Sequence, residues 1–485
     1  MSDPLLLGID EGTTAVKAVL FDSDLRPVAE ARRPVRVTHP RPGWVEQDPQ
    51  LILDAVVDAV ADVLAQAPGR EIVAAGLDHQ GESVLAWDAT DGHPLTPVLV
   101  WQDKRQQALL SDLGERGQEA VSRSGLPLDP YFSAGKLAWL LANDEAVAAS
   151  RAQGNLRLGT VDAFLTTHLG GGFATDLSTA SRTQLLARGG SDWDPGLLEL
   201  FGIERDWLPV LGPTFGPLGE LRHARWPVAL PLAAQLVDQQ AALAGAGCVR
   251  PGQVKATYGT GVFVLGPTDG PLSAEGLLPT VAWSGPDGRV THALDGGVFA
   301  AGSLLDWLSQ DLGLAADAPA LAAAAAEVPD SAGVMLLPAL AGLGAPWWRP
   351  QAHAVIAGLH AGVGAAHVAR AALEAIAWRV TDIVEAMAQA APLETLRVDG
   401  GLTNDQTLLQ LQADALGAPI AVNSVDVTVL GAAMLAGVGA GVFESVEAAA
   451  ERLPQPRVVE PGPGRSDRTE GRKRWRRFVE SASRL

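Results

Sequence analysis

Residues 5–22 read LLLGIDEGTTAVKAVLFD, and the fold is decided in this stretch. Two apolar segments, Leu5 to Leu7 and Val16 to Phe21, flank the turn DEGTT. Short apolar runs on either side of glycine and hydroxyl residues predict two strands that a tight loop can pair. Gly12 admits an anion close to the backbone, and Thr13 and Thr14 offer hydroxyl and N–H donors to phosphate oxygens. Asp10 ends the first strand in a carboxylate, which suits a magnesium ion directly or through water. Ordinary hairpins contain the same residues, so phosphate binding needs support from elsewhere in the chain.

At 485 residues the chain is too long for one ordinary core and predicts two large domains. Hydrophobic residues make up 47%, enough to fill both. A formal net charge of -20 argues against a nucleic-acid backbone as the main partner, although one local phosphate nest outweighs diffuse surface charge. Cys248 is the single cysteine, which excludes an internal disulfide and fits a reducing compartment. The start, MSDPLLLGID, lacks the basic and long apolar regions of a signal peptide. The longest apolar run, VLGAAMLAGVGAGVF (Val429 to Phe443), is glycine-rich and short for a bilayer, so a buried helix is expected. A soluble cytoplasmic protein follows, with no membrane or nucleic-acid partner.

In LILDAVVDAVADVL, Ile52, Val56, Val60 and Val63 recur at helical spacing, with Asp48 as cap and Pro49 at the first helical position. Strand-like IVAAGLDHQ (72–80) and SVLAWD (83–88) follow around a turn at Gly81. The second half opens with VKATYGTGVFVLG (254–266), again strand, glycine turn and strand, and later LRVDGGLTND (396–405) runs through glycines into a helix. Three strand-to-glycine turns spread over both halves suit a nucleotide held in a cleft between two related α/β domains. The change of pattern puts their boundary near Gly245, giving domains 1–245 and 246–485. ALAAAAAEV (320–328) reads as an ordinary helix, and the basic tail GRKRWRRFVESASRL as a solvated terminal helix.

Joined together, these segments resemble the FGGY carbohydrate kinases, the glycerol kinase branch above all, over nearly the whole chain. GIDEGTT is similar to the first phosphate motif, GWVEQDP to the loop after it, and VWQDKR (100–105) to a sugar-pocket segment. DPYFSAGKLAWLLAN (129–143) and AVIAGLHAGVGAAHVARAALE (354–374) resemble the two signatures. LVDQQAALAG (236–245) resembles the catalytic segment, and YGTG (258–261) the second phosphate turn. The resemblance implies two actin-like, ribonuclease-H-like α/β domains that close over ATP and a hydroxylated substrate. An actin-like ATPase switch or an idle sugar sensor is the reading from a different class. Relatives that form dimers make a homodimer possible.

By that resemblance Asp238 is the base that takes the hydroxyl proton, where the residues alone favour a helix cap. Asp10 holds Mg²⁺, with Thr13, Thr14 and Lys17 around the phosphates; Lys17 stands where arginine is usual and lacks its bidentate fork. Gly259 and Thr260 cap the phosphates from the second domain, and Gly302 and Gly401 border the adenine and ribose. Glu82, Trp101, Tyr131, Asp238 and Gln239 match the acceptor pocket. There, glycerol kinases carry Asn-Gln-Arg-Glu, and this chain has His79, Gln80, Gly81 and Glu82. Gly81 is expected to remove hydroxyl donors and leave space, making glycerol a poor substrate beside a longer polyol or a ketose, with His79 or a water as substitute donor. Asp306 and Asp405 replace the usual glutamine and asparagine near the nucleotide, and Arg349 and His353 replace an aspartate and an arginine. Trp347 and Trp348 read as packing residues.

Overall fold

The computed structural model describes residues 4–462 and 465–484; Met1 to Asp3 and Leu485, at the ends of the two terminal stretches quoted above, lie outside the described residues. The opening segment forms β1 (Leu5–Glu11) and β2 (Ala15–Phe21), an antiparallel pair as expected. They join β3 (Pro27–Pro34), β4 (Ile72–His79), β5 (Phe215–Leu221) and β6 (Leu230–Val237) in a sheet of order β5-β6-β4-β1-β2-β3. β4 runs parallel to both β1 and β6, while β5 is antiparallel to β6.

The second sheet comprises β7 (Gln253–Tyr258), β8 (Val262–Thr268), β9 (Leu278–Ser284), β10 (Val290–Val298), β11 (Thr395–Asp399), β12 (Ile420–Val422) and β13 (Arg457–Val459). Their order is β9-β10-β8-β7-β11-β12-β13. Setting β9 aside, this repeats the first sheet strand for strand. β7, β8 and β10 form an antiparallel series, β11 and β12 follow in parallel, and β13 closes antiparallel. Two related α/β halves are therefore visible in topology, although the sequence shows no repeat by eye.

Helix α1 (Pro49–Gln66) begins as its capping residues predict. Asp48 accepts from the backbone N–H groups of Gln50 and Leu51, a cap worth about 1 kcal/mol. Its Ile52, Val56, Val60 and Val63 are fully buried against β1, β2 and β3.

Helices α2 (Asp238–Gly245) and α3 (Val427–Gly439) follow β6 and β12, equivalent strands of the two sheets. They pack on each other in a core that includes Leu6 and Ala74 of the first sheet and Leu265 and Ala293 of the second. Their backbones nearly touch. A Cβ on Gly431 would lie 1.8 Å from the Ala241 carbonyl oxygen, and one on Gly245 2.0 Å from that of Val427. Only glycine fits at either place. The apolar run 429–443 is thus a buried helix for most of its length, and it packs beside the first sheet rather than within the second half alone.

Both segments around Gly81 are strands as expected, the second, Val84–Asp88, leaving the first sheet to pair with Leu156–Thr160 in a separate four-stranded sheet. One expectation needs correction. The terminal helix α4 (Arg465–Ala482) is not merely solvated. Trp475 and Val479 are buried, and Arg472 pairs with Asp382 and Glu385. The alanine-rich segment is helical, over Ala318–Ala326.

Candidate active site

Strand register assembles the acids. Asp10 and Asp78 are direct partners across the parallel β1–β4 pair, so their side chains share one face. Val237, the last residue of β6, pairs with His79, and Asp238 follows it as the first residue of α2. Three acids thus stand at the carboxyl ends of three adjacent parallel strands, where open α/β sheets bind ligands.

Burial, then the charge of Asp10, raises the Asp78 carboxyl well above its usual range. Burial and the nearby Asp426 raise Asp10 as well, to about 7. Neither Asp78 oxygen has a donor among the remaining described groups. Burial also pushes Asp238 up to about 7, helped by Asp10 and Glu82 and opposed by Lys255. The helix starts at Asp238 itself with Val237 as its cap position, so Asp238 is not the N-cap its sequence setting favours. Its Oδ1 accepts from the Gln239 N–H at 2.6 Å.

Lys17 is held by acids: its Nζ donates to Asp426 Oδ2 at 3.0 Å and lies 3.2 Å from Glu30. Thr13 is fixed from both sides. Trp101 Nε1 donates to its hydroxyl at 3.0 Å, and Gln47 Nε2 to its carbonyl at 2.8 Å. Thr14 is exposed at the turn. A clamp from the VWQDKR segment positions Trp101. Arg105 bonds Asp103 and Glu46 and stacks on Trp44 at 3.8 Å, while Asp103 accepts from the Val45 N–H.

Glu82 is held in the left-handed region, φ +60°, and is 4% exposed. A non-glycine residue there costs roughly 1–3 kcal/mol, a strain typical of functional sites. Its Oε1 accepts from Arg182 Nε at 2.7 Å. The Tyr131 ring lies 5.7 Å from the Arg182 guanidinium and 5.7 Å from the Trp101 ring. Gln239 accepts from the Lys255 ammonium at 2.8 Å. The five expected pocket residues therefore converge.

Gly81 does not leave the expected opening. A Cβ there would meet Val237 Cγ1 at 2.8 Å, so a buried valine closes the position. His79 is no substitute donor either. It is fully buried, with one ring nitrogen against the Gln80 carbonyl and the other against the Thr179 hydroxyl.

The second sheet supplies a facing turn. Gly302 and Ser303 donate backbone N–H bonds to the carbonyls of Gly259 and Thr260, joining those two segments, and Thr260 is exposed. Gly400, with φ +95°, lies against the Tyr258 backbone, which brings the Gly401 turn to the same place. Asp405 caps the helix Gln406–Leu416 by accepting from Thr407 and Leu408. Asp306 and His353 are exposed, and Arg349 bonds Ser483. Trp347 and Trp348 pack as expected, each with its indole N–H satisfied.

Sequence reasoning missed Asp78, Arg182, Lys255 and Asp295. Asp78 carried the same signal as Asp10, an acid ending an apolar strand. A cavity of about 720 Å³ lies elsewhere, lined by Trp378, Asp414, Arg468 and Arg474 among others, and none of the site acids borders it.

Comparison with known proteins identifies the family and the fold. Residues 5–245 match the family model for the N-terminal domain of the FGGY family of carbohydrate kinases, and residues 254–440 that for its C-terminal domain. The chain belongs to this family. A glycerol kinase of Citrifermentans bemidjiense is 42% identical over 484 residues, covering 98% of each chain. Among solved structures, a Plasmodium falciparum glycerol kinase with ADP superposes with a TM-score of 0.92 at 27% identity, covering 99% of this chain and 98% of that one. A Brucella ovis protein described as a xyloylose kinase gives 0.89 at 26% identity, covering 98% and 99%. This FGGY chain is accordingly a two-domain α/β enzyme that phosphorylates a polyol or carbohydrate hydroxyl at the expense of ATP. No helix among the described residues is long and apolar enough to cross a membrane.

Proposed function

We propose that the enzyme transfers the γ-phosphoryl group of ATP to a terminal hydroxyl of a small neutral polyol, with glycerol as the first candidate. The observation that carries this reading is the placement of Asp238 between the acids of the phosphate turn and the Glu82–Tyr131 acceptor pocket. The acceptor hydroxyl sits against Asp238 Oδ2 and gives up its proton there as its oxygen bonds to phosphorus and ADP departs. Orientation by Glu82, Trp101, Tyr131 and Gln239 contributes more than basicity, because the hydroxyl proton leaves late. Thr13, Thr14, Gly259 and Thr260 offer donors to the phosphates from opposite sides of the cleft, and Gly302, Gly401 and Asp405 border the nucleoside.

The donorless oxygens of Asp78, beside Asp10, suit a hard dication. Among the described residues no three acid, histidine or cysteine side chains form a metal cage, and Mg²⁺ in phosphoryl-transfer sites is held through one or two carboxylates and the phosphates. When bound, Mg²⁺ supplies charge neutralisation to the phosphates. Closure of the Gly81 position by Val237 removes the reason for favouring a longer substrate, so three-carbon polyols precede ketoses.

A coupled assay of ADP release across glycerol, tetritols, pentitols and pentuloses tests this. Glycerol-dependent turnover exceeding the others supports it. Preference for a pentulose would move the enzyme to the ketose kinases, and hydrolysis indifferent to every acceptor would favour an ATPase switch.

A further inference from the structure

Arg182 lies outside the short motifs quoted above, yet it stands between Glu82 and the Tyr131 ring in the acceptor pocket. Resting on the polyol kinase reading above, we infer that Arg182 determines acceptor specificity. Its terminal guanidinium nitrogens donate to a hydroxyl oxygen of the bound polyol, taking over the donor role that glycine at position 81 cannot fill.

The first argument is hydrogen-bond accounting. Arg182 is 4% exposed, and the one side-chain hydrogen bond it makes among the described residues runs from Nε to Glu82 Oε1. Nη1 is ion-paired with Asp295 Oδ2 at 3.1 Å but makes no directed hydrogen bond. Guanidinium carries five N–H donors, and buried donors left unused are costly. A hydroxyl oxygen is an acceptor of the right size and neutrality to relieve that cost.

The second argument is rigidity. Glu82, in the turn after β4, and Asp295, on β10 of the second sheet, both pair with the guanidinium. The rings of Tyr131 and Phe132 lie 5.7 and 5.6 Å from its central carbon. Arg182 cannot swing away, so little entropy is lost when a ligand uses its donors.

The third argument is charge. Glu82, Asp295 and Asp238 face two cations, Arg182 and the buried Lys255. The site therefore has no positive surplus for a carboxylate, and a neutral polyol is favoured over a sugar acid.

The test compares wild type with Arg182→Met and Arg182→Lys, using glycerol, 1,2-propanediol, 1,3-propanediol and gluconate. Wild type is expected to favour glycerol over at least one propanediol by about tenfold or more in kcat/KM, the scale of a lost bond to a charged donor. In Arg182→Met that ratio collapses toward one and the KM for ATP stays within about twofold, because the guanidinium acts on the acceptor alone. Arg182→Lys falls between the two, and gluconate is not phosphorylated. Should Arg182→Met fail to fold by circular dichroism, Arg182→Lys carries the same comparison. An unchanged ratio in the variants, an equal loss on all diols, or efficient turnover of gluconate would overturn the inference while leaving the kinase reading intact. A wild type inactive on every polyol would overturn both.

Discussion

Lys255 Nζ donates a 2.8 Å hydrogen bond to Gln239 Oε1, tying β7 of the second sheet to the residue beside Asp238. The ammonium is fully buried, and its charge faces Asp399, Asp238 and Asp295. It opposes the upward pressure on the Asp238 carboxyl. Replacing it with methionine removes that opposition. In Lys255→Met the acid limb of the pH–rate profile is expected to move to higher pH, and the acceptor KM to rise because Gln239 loses its anchor. Initial rates across pH 5–9 check this, and a limb that stays put would show that Lys255 does not sense Asp238.

For the parent enzyme the sign is fixed by the base role. Burial lifts Asp238 from 3.8 to about 7, and only its ionised form accepts the proton. Activity is therefore present above about 7 and lost as pH falls through that value, about tenfold per unit, in kcat/KM for the acceptor. A flat profile down to pH 5 would contradict it.

Asp238→Asn keeps the side-chain shape but cannot take a proton. Loss of general-base catalysis typically costs 10²–10⁴-fold, so kcat should fall by roughly 10³-fold with nucleotide affinity retained. Stopped-flow binding of a fluorescent ADP analogue separates the two effects.

Trp101 joins the halves of the site by its bond to Thr13 and its edge contacts with Tyr131 and Phe263. Trp101→Phe keeps a ring but drops the N–H. A lost hydrogen bond of about 1 kcal/mol predicts a change of about fivefold in kcat/KM, read in steady-state assays.

Gly431→Ala and Gly245→Ala would each drive a methyl into a backbone carbonyl. Overpacking of this kind costs about 1–3 kcal/mol or more, because a backbone cannot rotate out of the way as a side chain can. Thermal unfolding should show a clear drop in Tm for both. Gly270→Ala, where a Cβ meets nothing within 4 Å, serves as the neutral control.

Much of this was legible from local chemistry. The strands at 5–22 and 254–266, the cap at Asp48 and the buried run from Val429 are set by short-range patterns that one sequence displays. Convergence of Glu82, Trp101, Tyr131 and Gln239 came through the family resemblance, since no spacing joins residues so far apart. The misses share a cause. Gly81 looks like a vacancy until Val237, 156 positions away in the chain, is seen against it. Arg182 and Asp295 gain meaning only from partners in other elements, and His79 was spent on Thr179 rather than on the pocket.

The bare crossing of α2 and α3 also restricts how the enzyme can move. Main chain rests on main chain there with no cushioning side chain, so sliding one helix along the other would jam carbonyl into amide within a fraction of an ångström. Tilting remains free, as with the blades of a pair of scissors riveted at Gly245 and Gly431. Any closure of the two halves would then pivot at this crossing, carrying the Tyr258–Gly261 turn through an arc.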